Sequence, residues 1–249
     1  MSWCDKLAST PSMGIQLTSD FLPAEQILAS LNSILNEHVD EDRGTFDVET
    51  IEPFRLIFNT DSGFRYSFDQ KSAAITFNHR IRAQAASAGP PIMELISKAA
   101  PYTELLNQVK ERLARAVALL PNINSRHISR VGIVSVTQVD LEDAPPGIRS
   151  LFEVLGKPLG GTVDSFNCAI TTVLNKDYNY IDRCIHTFVL PEPPKKMVTV
   201  QLDWQRLFNT SQSASAKSTR QVMDAAQGEA LAYFEKVAEG GLSDVDSNC

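Results

Sequence analysis

The sequence offers little that would serve catalysis or bind a metal. It contains no GxSxG, P-loop, GxGxxG or HExxH pattern, which leaves no nucleophile elbow, phosphate-cradling loop or zinc-protease helix to propose. The four cysteines, Cys4, Cys168, Cys184 and Cys249, show neither CxxC nor Cys/His ligand spacing, so reduced thiols are expected. The four histidines, His38, His79, His127 and His186, are scattered along the chain. No window approaches the ~20 apolar residues of a membrane span, and the first residues lack a basic segment leading into an apolar run. Together these absences predict a cytoplasmic chain with no catalytic residue, no metal, no cofactor and no membrane contact.

What the sequence does have is core-forming material: 43% of its 249 residues are hydrophobic, enough for one large core or two fused smaller ones. The strongest strand signal is Ser129 to Leu141, near the middle. There Val131, Ile133, Val134, Val136 and Val139 put β-branched residues on both alternation faces, as a central strand requires.

Before that strand, Met13 to Thr18 reads as a strand and Pro23 to Leu35 as a helix with Ile27, Leu28, Leu31, Ile34 and Leu35 at helical spacing, ended by the polar run Glu37 to Gly44. Three strands follow, in which Phe54, Leu56, Phe58, Phe64, Tyr66, Phe68, Ile75 and Phe77 share one face. Ala83 to Pro101 reads as a loop, with a short helix at Ile92 to Lys98, that could act as a flap. Leu105, Leu106, Val109, Leu113, Ala116, Val117 and Leu120 form the apolar stripe of a long helix.

After the central strand, Ile148 to Leu155 fits a short helix closed by Gly156. Val163 to Leu174 and Tyr180 to Leu190 form a hairpin, and Met197 to Trp204 alternates as a third strand. Asn209 to Lys217 reads as a linker, Ser218 with Gln221 as a capping box, and Val222 to Val237 as a helix ending at Gly240.

The order is strand, helix, three strands, helix, twice over. The expected class is α+β: two β-α-β-β-β-α units, residues 13–120 and 121–239, forming largely antiparallel sheet with helices on one face, between a tail at 1–12 and another at 240–249. The only fragments alike in sequence are Met13-Gly-Ile15 and Val131-Gly-Ile133. A sheet covered on one side leaves its other face for a ligand or a partner, and an exposed aromatic face would need covering.

Three stretches, Phe54-Arg-Leu-Ile-Phe58, Phe64-Arg-Tyr-Ser-Phe68 and Ile128-Ser-Arg-Val-Gly-Ile133, with the long helix near Tyr102 to Leu120, resemble the pattern of a family of sporadically distributed, uncharacterised bacterial proteins. The resemblance spans roughly Met13 to Phe208. After Ile133 the chain departs from it, with Val134-Ser135-Val136 in place of a polar and aromatic run. It implies the fold and no activity.

Charge is uneven. Arg55 to Arg130 carries eleven Lys/Arg against five Asp/Glu, a formal +6, leaving −13 for the rest of a chain whose total is −7. Arg55, Arg65, Arg80 and Arg82, interleaved with aromatics including Phe64 and Tyr66, are therefore the candidate binding residues, in a mixture that nucleic-acid-binding sheets also use. Strand alternation sets these arginines mostly opposite the aromatics, which favours a wet or protein-facing surface. The expected function is a non-catalytic interaction or assembly module with a protein partner or its own copy as a homodimer. The alternative is a ligand- or nucleic-acid-binding protein using the basic segment 55–130.

One reactive pair is conceivable. Cys168 and Cys184 sit on the two arms of the hairpin turning near Asn175 to Asn179, and they would be opposed if Lys176 centred the turn. Pairing Ile170 with Ile185 and Leu174 with Ile181 separates them and matches the apolar residues better. His186 beside either thiol would favour a thiolate, although no orienting partner or oxyanion donor is evident.

Overall fold

The computed structural model describes residues 3–6, 9–18, 24–42, 46–52, 55–84, 90, 92–97, 99–156, 165–190 and 197–240. Alternating burial, the mark of a sheet with one face packed, runs through strand after strand: every second residue of β1 (Thr10–Leu17), β5 (Ser72–Phe77) and β10 (Tyr180–Leu190) is buried along most of its length. Together with β2 (Phe46–Glu52), β3 (Arg55–Thr60), β4 (Phe64–Asp69), β8 (His127–Asp140), β9 (Phe166–Lys176) and β11 (Met197–Ser213), they form one antiparallel nine-stranded sheet. Its order is β2-β3-β4-β5-β1-β8-β11-β10-β9. A separate ribbon pairs β6 (Ile81–Gln84) with β7 (Ile92–Leu95).

The helices α1 (Trp3–Lys6), α2 (Ala24–Asp42), α3 (Tyr102–Ala118), α4 (Pro146–Gly156) and α5 (Ala216–Glu239) gather on one side. The stripe of α3 lies on β1 and β5, α5 lies on β8 and β11, and α4 packs against α5. Leu106, Val109, Leu113 and Val117 of α3 join Met13, Ile75, Ile133, Trp204 and Phe234 in one continuous core, to which α2 adds Ile27, Leu31 and Ile34. Each such side chain contributes about 1.5–3 kcal/mol by leaving water. Among the described residues, no helix packs on the sheet's other face.

Several expectations change. The first residues are no tail: Trp3 and Cys4 of α1 are buried, Trp3 Nε1–H donates to the Phe234 carbonyl (2.7 Å), and Asp5 caps α3 by accepting from the Thr103 N–H (2.9 Å). The α2 helix continues through the polar run to Asp42, because a solvated turn can hold charges that give no apolar signal. Strand β2 was not anticipated; its acid-rich sequence suits an edge. The helix expected at 92–98 is strand β7, in which Ile92 pairs with Gln84 and Leu95 with Ile81. Asn209 to Ser213 belongs to β11 rather than to a linker: past an irregularity between Leu207 and Gln212, Gln212 and Ser213 pair again with β8. The α5 cap lies one turn earlier than expected, at Ser215, whose Oγ accepts from the Ser218 N–H (3.3 Å).

The aromatic face of the β3–β5 meander is the covered one. Phe58, Phe64, Tyr66, Phe68 and Phe77 are buried, with Phe58 stacked on Tyr66 at 4.5 Å. The expectation of an exposed aromatic surface is corrected accordingly: the face left open mixes polar and charged side chains with aliphatic ones such as Val134, Val173 and Leu207.

Candidate functional site

On the open face, side chains shrink toward the sheet centre. The antiparallel register sets Gly14 of β1 directly opposite Gly132 of β8, with Ala74 of β5 beyond Gly14 and Gln205 of β11 beyond Gly132. Arg183 of β10, opposite Gln205, and Val173 of β9 continue that row. The adjacent rows bring in Ser12, Val134 and Asp203 on one side and Ser72, Gln16 and Arg130 on the other. The result is a saddle of about 250 Å³ with a floor of glycine and alanine and a polar rim.

The two glycines serve differently. A Cβ on Gly14 would stand 3.2 Å from the Ala74 Cβ, a tight fit that β1 and β5 would have to yield by a few tenths of an ångström to admit. A Cβ on Gly132 would meet nothing nearer than the Trp204 carbonyl at 3.7 Å, with Asp203 Oδ1 at 3.8 Å. Folding has room for a side chain at Gly132. What its absence preserves is open space above the sheet.

Arg130 and Asp203 bring charge to the rim, and Arg183 of β10 stands beside it, beyond Gln205. Arg183 donates from Nε (3.1 Å) and Nη2 (2.8 Å) to Gln205 Oε1, and Arg130 Nη1 approaches the same oxygen at 3.5 Å. Gln205 Nε2–H in turn donates to Asp203 Oδ2 at 2.8 Å. Two guanidiniums thus converge on one neutral acceptor, and neither forms an ion pair with a described carboxylate. Burial pushes the Asp203 carboxyl above its usual range, partly offset by the Gln205 hydrogen bond and by the charges of Arg130 and Arg183.

The sequence-derived candidates do not gather here. Arg55 and Arg65 lie on the open face but on the far half of the sheet, and Arg65 is held by Glu49 (2.8 Å). Arg80 and Arg82 leave the sheet with the β6–β7 ribbon, and Arg82 is exposed. Phe64 and Tyr66 are core residues: the Arg112 guanidinium lies 4.1 Å over the Phe64 ring and its Nη1 donates to the Tyr66 hydroxyl (2.9 Å). Arg130 closes the basic segment, whereas Arg183, Asp203 and Gln205 lie outside it. The available signal was Gly14 and Gly132, lone glycines inside strong strands, which mark a close backbone approach or a ligand.

The thiol–histidine idea finds no support in the geometry. Cys168 pairs with Phe188 and Cys184 with Thr172, so the cysteines are not opposed, and Cys4, Cys168 and Cys184 are free thiols. Burial pushes the Cys184 thiol up to about 12. His186, on the covered face, exchanges a hydrogen bond with the Tyr233 hydroxyl (2.9 Å), and burial lowers its pKa. Both shifts oppose a thiolate–imidazolium pair. His79, at the end of β5, and His186 are separated by β1, β8 and β11.

A second cavity of about 270 Å³ lies on the covered side between β10 and α5, beside the buried pair in which Arg206 Nε and Nη2 each donate to Asp182 at 2.7 Å. Arg206 also stacks 4.0 Å over Tyr180. Asp182 in the cavity lining is already paired with Arg206, and Glu229 and Lys236 of α5 complete the polar side of the cavity. Among the described residues no cluster of three or more His, Cys, Asp or Glu could hold a metal ion, and no helix is long and apolar enough to cross a membrane.

No protein-family model matches the sequence, and no curated protein matches it significantly.

Proposed function

We propose that the chain is a non-catalytic binding protein whose working surface is the open face of the nine-stranded sheet, with the Gly14–Gly132 saddle as the seat for an anionic group. The observation that carries this reading is the convergence of Arg130 and Arg183 on the neutral Gln205 oxygen above a floor kept free of side chains. Two guanidiniums with, among the described residues, only the Asp203 carboxylate, reached through Gln205, to offset them favour a further anion between them.

The strand order supports a further element of the reading, that the sheet consists of two units related by a pseudo-two-fold axis at the glycine pair. The orders β3-β4-β5-β1 and β9-β10-β11-β8 correspond, each unit setting its last meander strand beside its first strand. By this correspondence Arg130, Arg183, Asp203 and Gln205 match Ser12, Ser67, Ser72 and Ala74. Only one unit carries charge, giving one site per chain.

The test is melting of the full chain in sodium acetate or sodium phosphate against sodium chloride at equal ionic strength. The expected result is stabilisation by the first two anions that disappears in the Arg130→Gln, Arg183→Gln double variant. Equal melting in all three salts would count against the reading.

Self-association is a second reading, favoured by the β6–β7 ribbon. Ile81, Ile92 and Met93 are 59%, 62% and 63% exposed on a two-stranded ribbon, a structure that needs packing to be stable. Light scattering on wild type and on Met93→Asp tests it: a dimer that dissociates in the variant supports the reading, and a wild-type monomer removes it.

A further inference from the structure

Building on that reading of the open face, we propose that the saddle takes a small amino carboxylate, its carboxylate held by Arg130 and Arg183 and its ammonium group by Asp203.

Three features select this class from anions in general. The first is the donors: only three hydrogen bonds run from the two guanidiniums to Gln205, so most of their N–H groups remain for an oxyanion. The planar fork of each guanidinium matches a carboxylate.

The second is Asp203. Its Oδ2 accepts from Gln205, while its Oδ1 lies 3.8 Å from where a Gly132 Cβ would stand and accepts from no described residue. A half-buried carboxylate oxygen facing an open cavity is placed to accept from a ligand's donor. Dianionic phosphate brings a single O–H and no positive charge to Asp203, whereas an ammonium group supplies three N–H donors and the opposite charge. Gln205 stands between the two kinds of group, bonded to both, and so spaces the cationic and anionic halves of the rim.

The third feature is size. A cavity of about 250 Å³ has room for a molecule of amino-acid dimensions. With Arg130 and Asp203 on the rim and Arg183 beside it, a zwitterion meets a partner at each end.

Calorimetric titration of the full chain at neutral pH with L-alanine, sodium propionate, ethylamine and sodium phosphate tests the proposal. L-Alanine is expected to bind at least ten-fold tighter than propionate, and ethylamine not to bind. Asp203→Asn should bring L-alanine down to the affinity of propionate, and Arg183→Gln should abolish both. Gly132→Val, which fills the floor without changing a charge, should also abolish both while melting like wild type, so loss of binding is separable from loss of fold.

Equal affinity for L-alanine and propionate would overturn the proposal but leave an anion-binding face standing. Tighter binding of phosphate than of L-alanine would do the same. Absence of heat with every probe would overturn both the proposal and the broader reading, as would binding that survives Gly132→Val.

Discussion

Gly14 and Gly132 face each other across β1 and β8 in the middle of the sheet, yet only Gly14 is hemmed in by its neighbours. Gly132→Ala should therefore be neutral or stabilising by up to about 1 kcal/mol, since alanine loses less chain entropy on folding. Gly147 gives the contrast: a Cβ there would stand 2.2 Å from the Val237 carbonyl, so Gly147→Ala should destabilise by about 1–3 kcal/mol through overpacking. Urea denaturation of both variants checks the difference; comparable losses would show that Gly132 is kept for folding rather than for space.

The buried Asp182–Arg206 pair predicts a non-additive pattern. Asp182→Ala leaves Arg206 charged and largely shielded from water, and should cost about 3–5 kcal/mol. Replacing both at once, Asp182→Leu with Arg206→Met, should recover most of that loss. A double-mutant cycle by chemical denaturation measures the coupling, and additive losses would contradict it.

His186 supplies a pH dependence. Its folded pKa lies below the ordinary value of 6.5, mainly through burial, so the unfolded chain binds the proton more readily. Its contribution to stability is present above that ordinary value and is lost as pH falls toward the folded pKa. Melting temperature should therefore drop between neutral pH and mild acid, and His186→Gln should flatten that drop. An unchanged slope in the variant would place the titrating group elsewhere.

Asp203 acts in the opposite sense. Its folded pKa is raised, mainly by burial, so its contribution is fully present below the ordinary carboxylate value of 3.8 and is lost as pH rises through the folded pKa. Asp203→Asn should raise the melting temperature at neutral pH, with the gain vanishing in acid. A variant less stable than wild type at neutral pH would contradict this.

Leu113 lies at the centre of the α3 stripe with no exposure. Leu113→Asp places a charge in the core, at a cost comparable to the whole stability of about 5–15 kcal/mol. Circular dichroism should show a largely unfolded chain, and a normally melting variant would show that α3 is not packed as described.

The sequence was most informative where periodicity was strong. The α3 stripe, the β3–β5 meander and the β8 strand announce themselves because each buries one face continuously. The Asn209–Ser213 end of β11 carries polar side chains, and its pairing with His127 and Ile128 is made by the backbone alone, which composition does not reveal. Acid-rich β2 was hidden for the same reason. The saddle was missed because its charged residues come from three strands and meet only through register: Arg130 opposite Leu207, and Arg183 opposite Gln205. Net charge along the chain pointed to Arg55–Arg130, but folding spreads Arg55, Arg65, Arg80 and Arg82 over the far half of the sheet and the ribbon and brings only Arg130 to the saddle.

The central claim, that the open face at the glycine pair is the binding surface, is tested most directly by an amide NMR titration of the full chain with L-alanine. The account predicts shifts concentrated at Gly14, Gly132, Asp203 and the Arg183 Nε–H signal, with the α3 amides unmoved. Shifts centred on the β10–α5 cavity, or none at all, would contradict it.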